Sequence, residues 1–147
     1  MKNNKVEDPE VFYGLTGKYE SSLSDPMRLV AFANKGLPAS SFEELINISH
    51  QSPDVFAHHL NISLKSIDRY TKDNKSLDPI MSELIIKWMN MYRLGFEVFG
   101  SVDAFNRWLE KPSIGLNGLL PLNIINISSG VNLVISELQN IANGDIA

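Results

Sequence analysis

A chain of 147 residues and 16.4 kDa holds one domain, or two small ones sharing a core. With 44% hydrophobic and 20% charged residues it is ordinary globular material, and the absence of cysteine excludes disulfides, zinc-thiolate centres and thiol catalysis. The net charge of -4, with a pI of 5.3, argues against a binder driven by bulk positive charge, so the distribution of charge matters more than its total.

Residues 1–23 contain Pro9, Gly14 and Gly17 without a sustained period, and are expected to be a flexible N-terminal arm. Asp25-Pro26 then opens a helix in which proline occupies the first turn, where its missing N–H costs nothing; Gly36-Leu37-Pro38 closes it. Ser41 with Glu44 reads as a capping box for a short second helix. Ser52-Pro53 starts a third, with Val55, Phe56 and Leu60 inward, and Ser63 caps a fourth carrying Leu64, Ile67 and Tyr70. Asp78-Pro79 opens the longest helix, to about Phe99 and Gly100, whose apolar residues Met81, Leu84, Ile85, Trp88, Met91 and Tyr92 recur at three- and four-residue steps. Ser101 caps a helix with Phe105, Trp108 and Leu109 that Pro112 ends; a loop with Gly115 and Gly118 leads to Pro121 and a short helix. Ser128 or Ser129 is expected to cap the last helix, striped by Val131, Val134, Ile135, Leu138 and Ile141 and closed by Gly144. The expected fold is all-α: a helix-turn-helix bundle over residues 24–78, a connecting long helix over 79–100 and a small helical domain over 101–147.

Two short helices with a tight turn between Pro53 and Lys72 have the pattern of a DNA-reading pair. Ala57 allows close approach, Ile62 and Ile67 anchor the second helix, and Ser63 caps it so that its first exposed residues project outward. Lys65, Ser66 and Arg69 are the candidates for base edges, and Lys72 lies where phosphates would pass. The same charges also suit an ordinary solvated face. After Lys111 no basic residue remains, so the two halves suit different partners.

No catalytic constellation stands out, and no enzyme is expected. His58 and His59 are adjacent and cannot clamp one metal as an i, i+4 pair could; no metal and no cofactor is called for. Neither a nucleophile elbow nor a phosphate-binding loop occurs. The segment from Ile114 to Ile127 is apolar but broken by Asn117, Pro121, Asn123 and Asn126, so no membrane partner is expected and the default location is cytoplasmic.

The order Ala57, Leu60-Asn61-Ile62-Ser63, Ile67 and Arg69, then Val98-Phe99-Gly100, resembles the Xre/MbcA/ParS-type antitoxins. The C-terminal half is more specific: Ala104, Trp108-Leu109, Pro112, Leu116, Gly118, Pro121-Leu122, Gly130, Val134, Leu138 and Gly144 follow the family's toxin-binding domain in order and spacing. The resemblance implies an antitoxin that covers the active site of a cognate RES-type, NAD-degrading toxin and represses its own operon through the helix-turn-helix. It implies a homodimer, and hetero-oligomers with the toxin. NAD would be the toxin's substrate and not a cofactor here. It assigns Lys65, Ser66, Arg69 and Lys72 to operator DNA. It assigns Leu116, Asn117, Gly118, Leu119, Pro121, Asn140, Asn143 and Gly144 to the toxin, supported from beneath by Trp108, Leu109, Val134 and Leu138. Two departures stand out: Asn123 replaces a common acidic residue, and Lys65 a frequent arginine, giving up fork geometry for a point charge. The alternative is a plain helix-turn-helix regulator whose C-terminal half dimerises or senses a ligand.

Overall fold

The longest helix, Pro79–Phe99, is the piece against which most of the others pack. A computed structural model describes residues 4–144, all-helical with no strand among them. In chain order the helices are α1 (Pro9–Thr16), α2 (Glu20–Leu23), α3 (Pro26–Lys35), α4 (Ser40–Ser49), α5 (Pro53–Leu60), α6 (Leu64–Lys72), α7 (Pro79–Phe99), α8 (Val102–Leu109), α9 (Pro121–Ile124) and α10 (Ser128–Ala142). A single 3-10 turn, Ile114–Leu116, sits between α8 and α9. No described helix is long and apolar enough to cross a membrane.

The start of α7 is fixed by Asp78, whose carboxylate accepts from the Met81 N–H at 2.8 Å, with Pro79 in the first turn. Its end is fixed by Gly100 at φ +83°, whose N–H returns to the Phe96 carbonyl at 2.8 Å. Its 21 residues span about 30 Å at 1.5 Å each. Leu84, Ile85, Trp88, Met91 and Tyr92 are buried as their spacing predicts, whereas Met81 is only half-buried. Helices α1, α3, α4, α8 and α10 all pack on α7, and one hydrophobic cluster runs from Phe12 through Trp88 to Leu138. Helix α10 lies alongside α7 in the same direction, because Lys87 reaches Ser128 and Asn132 near its start while Leu94 and Val98 border its far end.

Three local expectations are corrected. Part of the expected N-terminal arm is helix α1, capped by the Asp8 carboxylate, with Phe12 only 2% exposed and its ring 4.9 Å from that of Phe96, centroid to centroid. Further tethers hold this segment: Val6 N–H to the Asn47 carbonyl, Lys18 to Glu44 and Arg93 to Glu20. The capping box is not formed, because α4 begins at Ser40, Ser41 is buried inside it and Glu44 is engaged by Lys18. At α10 the cap position belongs to Ile127, which has no capping side chain, and Ser128 instead donates to Glu83.

Candidate functional site

Two surfaces emerge, one on α6 and one around α10. Helices α5 and α6 are joined by Asn61, Ile62 and Ser63. The turn is closed by Asn61 in the left-handed region, φ +55°, and by the Ile62 N–H donating to the Ala57 carbonyl at 3.1 Å. Ser63 Oγ accepts from the Ser66 N–H at 3.0 Å, which starts α6 cleanly. Ile67 is the one fully buried residue of α6, Leu64, Ser66, Tyr70 and Thr71 are half-buried, and Lys65, Asp68, Arg69 and Lys72 form its exposed face. Lys65, Arg69 and Lys72 are exposed and line one shallow depression with Asp68 and Asp73. Ser66 is half-buried, and its hydroxyl accepts from Ser63 at 2.9 Å. The Arg69 guanidinium lies 5.7 Å from the Tyr70 ring centroid, within cation–π range.

The second surface is built from the Ser113–Leu120 loop and α10. The loop is closed on itself: Ser113 N–H donates to the Leu119 carbonyl at 3.0 Å, and Gly118 N–H donates to the Ser113 carbonyl at 2.8 Å. Asn117 and Gly118, at φ +56° and +80°, make the reversal. The loop therefore presents Asn117, Gly118 and Leu119 to solvent. Leu116 and Pro121, expected among the contacting residues, are buried and shape the loop from below. Asn140, Asn143 and Gly144 are exposed at the end of α10.

Beneath this surface, Leu109, Val134 and Leu138 are fully buried, and Trp108 is 9% exposed. The Trp108 ring is nearly parallel to Phe105, 17° between planes at 6.0 Å, with Phe99 at 5.7 Å. Gly130 is required by close approach, since a Cβ there would lie 1.5 Å from the Ile124 carbonyl oxygen. A Cβ on Gly115 would lie 2.1 Å from the Glu137 carboxylate, so that turn folds directly over Glu137. Glu137 is the only charged residue of α10 and is 5% exposed. The solvent face of α10, with Ser129, Asn132, Leu133, Ser136, Gln139, Asn140 and Ala142, consequently carries no charge. Depletion of charge is the compositional mark of a protein–protein contact core.

Residues 94–144 match the family model of the antitoxin Xre/MbcA/ParS C-terminal toxin-binding domain. The C-terminal part of the chain is thus similar to the toxin-binding domain of the Xre/MbcA/ParS-type antitoxins. The chain is also similar to a Prs ADP-ribosylating antitoxin of Sphingobium sp. (strain YBL2), 23% identical over 133 residues, covering 84% of this chain and 84% of the relative. The matched span starts inside α7 and takes in α8, the loop, α9 and all of α10, but not α6.

The matched span is bolted to the rest of the chain by polar contacts that the sequence did not single out. Trp88 Nε1 donates to the Ile125 carbonyl at 2.9 Å, and His59 Nε2 lies 2.8 Å from the Leu122 carbonyl. Burial pulls the His59 pKa below its ordinary value, which favours the neutral ring donating through Nε2. Asn106 joins three elements: its amide donates to the Ser49 carbonyl, and its oxygen accepts from Tyr92 and Gln51. Burial also raises the Tyr92 pKa, so the phenol stays protonated and donating. His50 Nδ1 faces Asp103 at 3.0 Å and its Nε2 faces the Val6 carbonyl at 2.8 Å; the hydrogen bond from His50 holds the Asp103 carboxyl below its usual range. Each histidine but His58 is thus occupied in joining elements, and no described group of three His, Asp or Glu is placed to hold a metal.

Proposed function

We propose that this chain is an antitoxin that neutralises a cognate toxin by covering its active site with the Asn117–Leu119 tip and the end of α10, and represses its own operon through α5 and α6 acting as a helix-turn-helix. The observation that carries the first part is the charge-free outer face of α10 lying inside the matched toxin-binding span. Asn117, Gly118, Leu119, Asn140, Asn143 and Gly144 are the contacting residues of this reading; Leu116 and Pro121 hold the tip in shape. The toxin is of the RES type and consumes NAD. The relative's printed name includes ADP-ribosylation, a reaction that also consumes NAD, which supports an NAD-consuming toxin.

For DNA, α6 enters the major groove with Lys65 and Arg69 toward base edges and Lys72 toward the backbone. Ser66 takes part only if its hydroxyl turns away from Ser63. The acidic total charge is no obstacle, because Lys65, Arg69 and Lys72 share the exposed face of one helix against Asp68 alone. The antitoxin acts as a homodimer, which matches the two half-sites of a palindromic operator.

Expression of the reading frame encoded beside this chain tests the reading. That product alone should stop growth and deplete cellular NAD, and this chain should restore both. A harmless neighbour, or one that stays toxic in the presence of this chain, would leave the plain-regulator reading in its place.

A further inference from the structure

A cleft about 350 Å³ in volume separates the last turns of α7 and α10. Leu94, Glu97 and Val98 form one wall, and Leu138, Gln139, Ile141 and Ala142 the other. None of the eight residues that the sequence suggested for the toxin lines it. Leu94, Val98 and Ile141 are left half-buried along its floor and walls, although the cluster that buries α7 and α10 elsewhere runs right beside them. Glu97 is the only charged residue on the lining, and it is exposed.

The geometry points to this cleft as an anchor for the toxin, taking an apolar toxin side chain flanked by a lysine or arginine that meets Glu97. This rests on the toxin-neutralising reading and extends it to a surface beyond the loop and the helix end. Three observations select the occupant. The matched toxin-binding span begins at residue 94, the first residue of the cleft, so all the lining lies within it while the earlier turns of α7 lie outside. The cleft is continuous with the proposed contact surface, because Asn140 and Asn143 adjoin Gln139 and Ala142 on the same last turns of α10. The charge is complementary to a cation: residues 94–144 hold Glu97, Asp103, Glu110 and Glu137 against Arg107 and Lys111, and Glu97 makes no ion pair among the described residues. A small-molecule site would instead need several converging polar groups, whereas here only Glu97 and Gln139 are polar, both at the exposed rim.

The consequence is a division of labour. The loop tip and the end of α10 block the toxin's active site, while the cleft receives a side chain of the toxin and sets affinity and partner choice. Such seated anchors dominate interface energetics when water is excluded around them.

The test uses the full chain and the purified product of the neighbouring reading frame, with Kd measured by calorimetry for the parent, Ala142→Trp and Glu97→Lys. Ala142→Trp fills the cleft from its rim and Glu97→Lys reverses its charge; both side chains are exposed, so both variants should melt with the parent. The expected result is at least a tenfold weaker complex in each. If the parent binds and both variants bind within threefold of it, the anchor is overturned and the antitoxin reading stands. If the parent itself does not bind, the reading fails and the anchor with it. Should both variants keep toxin affinity but change the mass of the free chain in solution, the cleft belongs to a second copy and the proposal is overturned.

Discussion

Helices α6 and α10 carry their charge in opposite ways. Helix α6 has one buried residue, Ile67, and spends its charged residues on solvent; α10 buries Gly130, Val131, Val134, Glu137 and Leu138 and shows solvent no charge. A lightly seated, charged helix suits a polyanion read through phosphates and base edges. A deeply seated helix with a neutral face suits a protein surface, where stripping water from charges is costly. On the proposed reading, the contrast gives two partners two separate addresses on a chain with one continuous core among the described residues.

That separation can be strained from either side. Trp108→Ala removes the indole packed on Phe105 and Phe99 and should cost about 3–5 kcal/mol, read by urea denaturation, with loss of toxin binding as the support of α10 and the loop collapses. Ile67→Ala should cost about 2–5 kcal/mol in the same assay. Because α6 has no other buried residue, the damage should fall on operator affinity and leave the folded fraction able to bind toxin. Equal damage to both partners from Ile67→Ala would mean that the two addresses are not separable. Ser63→Ala deletes the oxygen that caps α6 and should cost about 1 kcal/mol, visible as faster hydrogen exchange in the first turn of α6 alone.

The smallest effect expected is on pH dependence. The folded-state pKa of His59 lies below its ordinary 6.5, so the unfolded chain binds the proton more readily and stability falls as pH drops below that value. Asp103 is depressed as well, so its contribution is present above the usual carboxylate range and is lost in stronger acid. Melting temperatures between pH 7 and 5 should decline slightly in the parent. In His59→Gln, which can donate to Leu122 without titrating, the decline should be shallower; an unchanged slope would remove His59 from that account.

The sequence was legible where a local signal and the burial pattern agree. Asp78-Pro79 and Gly100 set the ends of α7, Ser63 and Ser101 cap the helices they precede, and the α7 stripe is buried with the exception of Met81. Helix α1 was missed although Asp8-Pro9 repeats the opening signal of Asp25-Pro26 and Asp78-Pro79, because Gly14 and Gly17 obscure a short apolar stripe. Serine caps failed at α4 and α10 for a different reason: Ser41 and Ser128 found other places, one in the core and one at Glu83. In the candidate sites, motif order located the loop and the end of α10 but could not tell Leu116 and Pro121, which face inward, from Asn117 and Leu119, which do not. The inward turn of Glu137 and the α7–α10 cleft depend on how helices distant in sequence meet, and no local pattern encodes that.

The most direct test of two addresses on one core is a crossed binding measurement with Arg69→Ala and Asn140→Arg, each titrated with operator DNA and with the neighbouring gene's product. Arg69→Ala should weaken operator binding by about 1–3 kcal/mol and leave the toxin complex unchanged, while Asn140→Arg should do the reverse. If Asn140→Arg binds the toxin as tightly as the parent, or Arg69→Ala impairs both partners alike, the assignment of α10 to the toxin and α6 to DNA is contradicted.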